Sequence, residues 1–202
     1  MRIDGENVRQ VTPDDIPNIV AVMCAAWPMP QYKLAQLCQL FVPCQFHRRQ
    51  RMVEARRFTG YAFFVEQGMT RSYWVVDGEE ITTSFTLEGA IVFSMDEFYY
   101  GRLSEENVEA IDDVRAYGIR LEDLRRLFAT DLDFANWGRV IHQNEYRRLH
   151  RSHKERLTLP ARERYEEFRK QFPEVCRRVN LGYIASYLGI TQSTLSRMRN
   201  NI

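Results

Sequence analysis

Residues 181–202 read Leu181-Gly-Tyr-Ile-Ala-Ser-Tyr-Leu-Gly-Ile-Thr-Gln-Ser-Thr-Leu-Ser-Arg-Met-Arg-Asn-Asn-Ile202, two short helical runs about a tight turn. Ile184, Ala185 and Leu188 share one face of the first run by the i, i+3, i+4 rule. Gly189 sits where a helix closes at positive φ, a conformation glycine adopts without steric cost. Ile190 is an apolar plug, and Thr191 is placed to cap the second run. There Leu195 and Met198 point back toward the first run, while Gln192, Ser193, Ser196, Arg197 and Asn200 share the outer face. In the major groove, Gln pairs bidentately with adenine and Arg with guanine. The pattern alone leaves open a purely structural helical hairpin.

Charge favours the nucleic-acid reading. Across 202 residues the net charge is +1, an average that hides an electrical split. Residues 134–202 hold 14 Lys+Arg against 6 Asp+Glu, a net of +8, and residues 1–133 hold 14 against 21, a net of −7. A phosphate-binding surface therefore belongs in the C-terminal third, on the candidate hairpin. With 45% hydrophobic residues the chain is globular and long enough for one large domain or two small ones.

Cys24, Cys38, Cys44 and Cys176 form no C-x-x-C pair and read as small buried thiols in a reducing cytoplasm; an iron–sulfur or redox sensor on the first three is the minor alternative. The apolar run 19–27 follows Asp14 and Asp15 rather than a basic segment, so neither a signal peptide nor a membrane span is expected.

Residues 1–40 read mostly helical, with Ile16, Ile19, Val20 and Met23 on one face and a break at Trp27-Pro-Met-Pro30. From Phe41 to about Leu121 the texture turns to short strands: 61–68, 70–76, 80–85, 89–93, 108–111 and 116–119. Asp77-Gly78 is a hairpin signal. Such strands predict a β-sandwich or jelly-roll barrel, and 94–104 is the expected site of a short helix and ligand loop. Helices resume at Leu121, and a long one runs from Asp133 to about Arg156. Phe134, Trp137 and Ile141 keep 3–4 spacing, but no apolar heptad is sustained. It reads either as a dimer helix with a polar C-terminal half or as a helix packed on its own domain.

This order resembles the Crp/Fnr family of bacterial transcription regulators, in the short subgroup common in Bacteroidetes. The likeness rests on Leu40-Phe-Val-Pro43, Phe63-Phe-Val-Glu-Gln-Gly68, Gly78-Glu-Glu-Ile81, Phe85-Thr-Leu-Glu-Gly89, Glu109-Ala110, Glu163-Arg-Tyr165, Phe172-Pro173 and above all Tyr183–Arg199. The resemblance implies an α+β chain. Residues 1–133 would form a double-stranded β-helix (jelly-roll) sensor of cyclic-nucleotide-binding type, with N-terminal helices. Residues 134–157 would form the dimerisation helix, carrying Phe134, Trp137 and Ile141, and 158–202 an all-α helix-turn-helix domain. Because the sequence stops at Ile202, no β-wing is expected.

It also implies double-stranded DNA as partner, a homodimer, and possible contacts with RNA polymerase and a small effector. Gln192, Ser193 and Arg197 would meet base edges, and Thr191, Thr194 and Arg199 phosphates. Relatives that bind cyclic nucleotides carry a Gly-Glu pair for the ribose and an Arg-Ser pair for the phosphate. Here Gly89-Ala90 stands at the first place and Ser104-Glu105-Glu106 at the second. Two carboxylates repel an anionic phosphate, so this degenerate pocket is expected to take no cAMP or cGMP. No cofactor or metal is expected.

Two other functions compete. A jelly-roll metalloenzyme needs converging His and carboxylate ligands, yet residues 1–133 hold His47 alone, so an enzyme is not expected. A metabolite-sensing or assembly module without productive DNA binding, its pocket bordered by Phe93, Phe98, Tyr99 and Tyr100, is the remaining alternative.

Overall fold

The computed structural model describes residues 10–200. The helical expectation for residues 1–9, and the chain end at Ile202 on which the missing wing rests, lie outside the described residues. The chain divides into two compact units. One comprises the chain up to Ser72 together with Phe85–His142; the other comprises Tyr73–Ser84 together with the chain from Gln143 onward.

Along the chain, helices α1 (Pro17–Ala26) and α2 (Gln31–Cys38) precede strands β1 (Val42–Phe46), β2 (Arg51–Val53) and β3 (Tyr61–Gln67). Then come β4 (Thr70–Val76), β5 (Glu79–Thr86), β6 (Ile91–Val92), β7 (Asn107–Ala110) and β8 (Val114–Arg120). The strands form two four-stranded sheets, ordered β1-β8-β3-β6 and β2-β7-β4-β5, the jelly-roll the strand pattern predicts. β3 pairs antiparallel with β8, Phe63 opposite Gly118. Because side chains alternate across a strand, Phe63 and Val65 join an apolar cluster with Phe46, Val53 and Val108. Phe64 and Ala62 face the helices, among Ile19, Leu37 and Leu124.

β1 and β2 have no counterpart among the expected strands. Pro43 argues against a strand, but β1 lies at a sheet edge, where a missing N–H costs no ladder bond. A buried carboxylate then fixes α1: Glu66 on β3 accepts from the N–H groups of Asn18 and Ile19, both at 3.1 Å. That places an anion at the positive end of the helix.

α3 (Leu121–Thr130) buries Leu121, Leu124 and Leu127. α4 (Leu132–Thr158) begins in this unit. Of the three residues expected on the dimerisation helix, Phe134 and Trp137 turn into the unit's own core, the second of the two readings of this helix, and Ile141 is half-buried. The first two are 0% and 4% exposed. Trp137 stacks on Phe64 at 5.7 Å, and Ile141 packs against the same cluster. The apolar face of these turns is spent on the sheet.

The second unit holds the β4–β5 hairpin tip, the rest of α4, and α5 (Ala161–Gln171), α6 (Pro173–Arg178), α7 (Leu181–Leu188) and α8 (Gln192–Asn200). The tip turns through Asp77 and Gly78 at φ 52° and 83°, the double positive φ of a tight I′ turn. Tyr165, Phe168, Val175, Ile184, Leu188 and Leu195 are all buried. α7 is gripped at Tyr187: Arg156 donates to its carbonyl at 3.0 Å and Arg148 to its hydroxyl at 3.3 Å.

Candidate nucleic-acid interface

α7 starts on Asn180, whose side chain accepts the Gly182 N–H at 2.6 Å. It ends at Gly189, φ 67°. There the Ile190 N–H reaches the Ala185 carbonyl at 3.0 Å and the Gly189 N–H reaches Ser186 at 3.1 Å, which is the Schellman closure. α8 then opens on Thr191, whose hydroxyl accepts the Thr194 N–H at 3.2 Å and satisfies one orphan donor of the first turn.

Leu195 is the anchor of α8, 0% exposed. With that residue inward, Gln192, Ser193, Arg197, Arg199 and Asn200 are exposed, while Thr194, Ser196 and Met198 are half-buried. The side chains picked out as base readers thus lie together on one solvent-facing side. Arg197 is pre-bent along the helix, its Nε donating to the Ser193 carbonyl at 3.4 Å. Thr191 and Thr194 join at 2.8 Å between hydroxyls. Gln192 lies against α7: a Cβ at Gly182 would fall 3.1 Å from its Oε1, so the glycine lets the two helices meet.

The residues singled out for an effector lie between β5 and β7, in the first unit. Gly89 has φ +86° and donates to the Val65 carbonyl at 2.7 Å. Ser104 is buried, and its hydroxyl is committed to a local turn, donating to the Glu106 carbonyl at 2.8 Å. Glu105 is exposed and Glu106 half-buried.

Sequence reasoning missed what holds the intervening segment, a π-helical turn at Asp96–Tyr100. Buried Glu97 accepts from the N–H groups of Thr59 at 2.9 Å and Gly60 at 2.7 Å. Arg125 donates to the carbonyls of Glu97 and Phe98 at 2.7 and 2.9 Å and lies over the Phe98 ring. The Tyr99 hydroxyl meets His142 Nε2 at 2.9 Å, with His142 Nδ1 2.6 Å from the Gly138 carbonyl. Of the expected aromatic border, Phe98 is buried, Phe93 half-buried, and Tyr99 and Tyr100 exposed.

Burial pushes the Cys38 thiol up to about 11 and raises Cys44 and Cys176 as well, disfavouring the reactive thiolate. Among the described residues no group of three or more His, Cys, Asp or Glu is placed to hold a metal ion. No helix among them is long and apolar enough to cross a membrane.

No protein-family model matches the sequence, and no curated protein matches it. Solved structures do. FixK2 from Bradyrhizobium japonicum superposes with a TM-score of 0.67 at 21% identity, covering 80% of this chain and 83% of that one. A transcriptional regulator of the Crp/Fnr family from Eubacterium rectale gives 0.69 at 14%, covering 86% and 83%. The c-di-GMP-responsive global regulator CLP of Xanthomonas campestris gives 0.66 at 16%, covering 80% and 86%. The chain has the fold of the Crp/Fnr-type regulators, a cyclic-nucleotide-binding-like roll followed by a helix-turn-helix. The Xanthomonas campestris and Eubacterium rectale neighbours are both regulators.

Proposed function

We propose that the protein is a homodimeric, sequence-specific DNA-binding transcription regulator of the cytoplasm. One observation carries this reading: α8 buries Leu195 and turns Gln192, Ser193 and Arg197 to solvent as a capped, polar, cationic face. Arg197 is the base reader for guanine and Gln192 for adenine. Thr191, Thr194 and Arg199 flank them for phosphates, within a region of net charge +8.

The second half of α4 supports the dimer. Tyr146, Leu149 and Leu157 are 68%, 48% and 72% exposed, an apolar stripe suited to a second copy of the same helix. RNA polymerase would be approached from the promoter-bound dimer. The effector place takes no cAMP: Ala90 offers no carboxylate for a ribose, Ser104 is spent on its own turn, and Glu105 and Glu106 repel a phosphate. Any effector is therefore of other chemistry.

The test is selection of genomic DNA fragments by the purified protein, with and without cAMP. An inverted-repeat consensus unaffected by cAMP is expected. Absence of any consensus at low salt leaves the DNA-binding reading without support.

A further inference from the structure

Beyond the residues of α8 itself, the recognition unit has a concavity of about 330 Å³ lined by Arg162, Thr194, Arg197 and Met198. Arg162 belongs to α5, on a different stretch of chain from the other three. Two arginines therefore line one small hollow. Each carries a charge that is never lost at ordinary pH, so the hollow has a cationic lining suited to an anion. The counterion in place is a weak one: Glu166, four residues along α5, meets Arg162 Nε at 3.2 Å, with the two side chains 61% and 43% exposed. Exposed pairs of this kind are worth little and are readily exchanged for a better acceptor.

We infer that this hollow is a seat for one phosphodiester of the DNA backbone, with Arg162 as its principal ligand. Thr194 stands at the rim to add a hydroxyl, and the half-buried Met198 gives an apolar wall against which a sugar packs. Arg162 swings from Glu166 to the phosphate beside the base pair that Arg197 reads. The fork of a guanidinium suits two oxygens of a phosphate better than the single oxygen it holds in the free protein. Because the seat joins α5 to α8, it fixes the angle at which the recognition helix enters the groove. A backbone contact of this kind sets register and affinity, and carries no sequence information of its own.

This inference rests on the DNA-binding reading, and its test separates the two. Arg162→Ala, Arg162→Lys and Glu166→Gln are compared with wild type for binding to a selected site and to scrambled duplexes, across a salt series. Circular dichroism checks that each is folded. Arg162→Ala is expected to bind both duplexes roughly tenfold more weakly. Its plot of log affinity against log salt should be flatter by about 0.9 per subunit. Arg162→Lys should keep most of that slope, and Glu166→Gln should bind both duplexes severalfold more tightly.

If wild type binds no duplex at low salt, the regulator reading itself is overturned. If wild type binds while Arg162→Ala matches it in affinity and slope, the seat alone is overturned. A loss confined to one base pair would make Arg162 a base reader and equally overturn the seat. A further arm adds inorganic phosphate at constant ionic strength. Unchanged DNA binding supports a backbone seat, whereas competition at millimolar phosphate marks a site for a free anion and overturns it.

Discussion

The hydroxyl of Ser186, on α7, accepts the Thr82 N–H at 2.9 Å and donates to the Glu80 carbonyl at 3.0 Å. One side chain of the α7–α8 hairpin thus takes the place of a neighbouring strand along β5. Both partners lie in the same compact unit, Tyr73–Ser84 together with the chain from Gln143 onward, so this stretch of the β4–β5 hairpin is tied to α7 within that unit.

Ser186→Ala removes both bonds and is expected to cost about 1–2 kcal/mol. Chemical denaturation should show it as a lowered midpoint. Hydrogen exchange at the Thr82 amide should accelerate more than at amides of α3. Uniform acceleration along the chain would mean that Ser186 contributes to general stability and holds nothing in particular.

A second expectation concerns acid. Lys33 on α2 bridges Asp131 and Asp133, with both contacts at 2.7 Å, and Trp27 donates to Asp133 at 3.0 Å. Asp131 is held below the usual carboxylate range: burial works against the charge, and hydrogen bonds from Lys33 and from the N–H groups of Phe134 and Asp133 outweigh it. Asp133 is lowered chiefly by Lys33 and then Trp27, and Lys33 is raised in turn by both. A depressed carboxylate contributes stability that is fully present above its unfolded value of about 3.9 and is lost as pH falls through the folded value. A raised lysine contributes below about 10.4 and loses it as pH rises through its folded value. Thermal unfolding should therefore be flat from about pH 5 to 9 and fall on the acid side. Lys33→Met should shrink that acid fall; an unaltered profile would show that the clamp adds nothing to folding.

How much of this was readable from residues alone depended on whether the cause was local. The hairpin 181–200 was legible because Gly189, Thr191 and the spacing of Ile184, Ala185 and Leu188 on one run and of Leu195 and Met198 on the other each act within a turn or two. The turn at Asp77-Gly78 was legible for the same reason. Phe134 and Trp137 were read as apolar helix positions correctly, but periodicity says which face is buried and is silent on what covers it. Here the cover is Phe64, some seventy residues earlier in the chain. The clamp on the Asp96–Tyr100 turn had no local signature at all, since Glu97 bonds 37 and 38 residues away and Arg125 bonds 27 and 28 away.

Gly89 gives a sharper contrast. Its φ of +86° already disfavours a side chain, and a Cβ there would lie 2.3 Å from Val22 Cγ2 and 2.7 Å from the Asn18 carbonyl. Strain and overpacking act together, so Gly89→Ala should cost about 2–4 kcal/mol. Gly101 has φ +61° but nothing within 4 Å of the added carbon, and Gly101→Ala should cost only about 1 kcal/mol. Calorimetry of the two variants decides it. Equal losses would show that α1 yields to the added methyl and that the close approach at Gly89 carries no energetic weight.

The two arginines of α8 should behave differently on DNA. Arg197 is one turn beyond Ser193 and its Nε rests on that carbonyl, leaving the fork free to meet the two acceptors of a guanine. Arg197→Ala should cost about 1–3 kcal/mol at the preferred site and relax the choice at a single base pair. Arg199 lies in the last turn of α8, and Arg199→Ala should weaken binding to selected and scrambled duplexes alike while lowering the salt slope by about 0.9 per subunit. Competition binding against a panel of single-base-pair variants separates the two outcomes. Should Arg197→Ala lose affinity without losing preference, its guanidinium would belong on the backbone beside Arg162, and base reading would fall to Gln192 and Ser193.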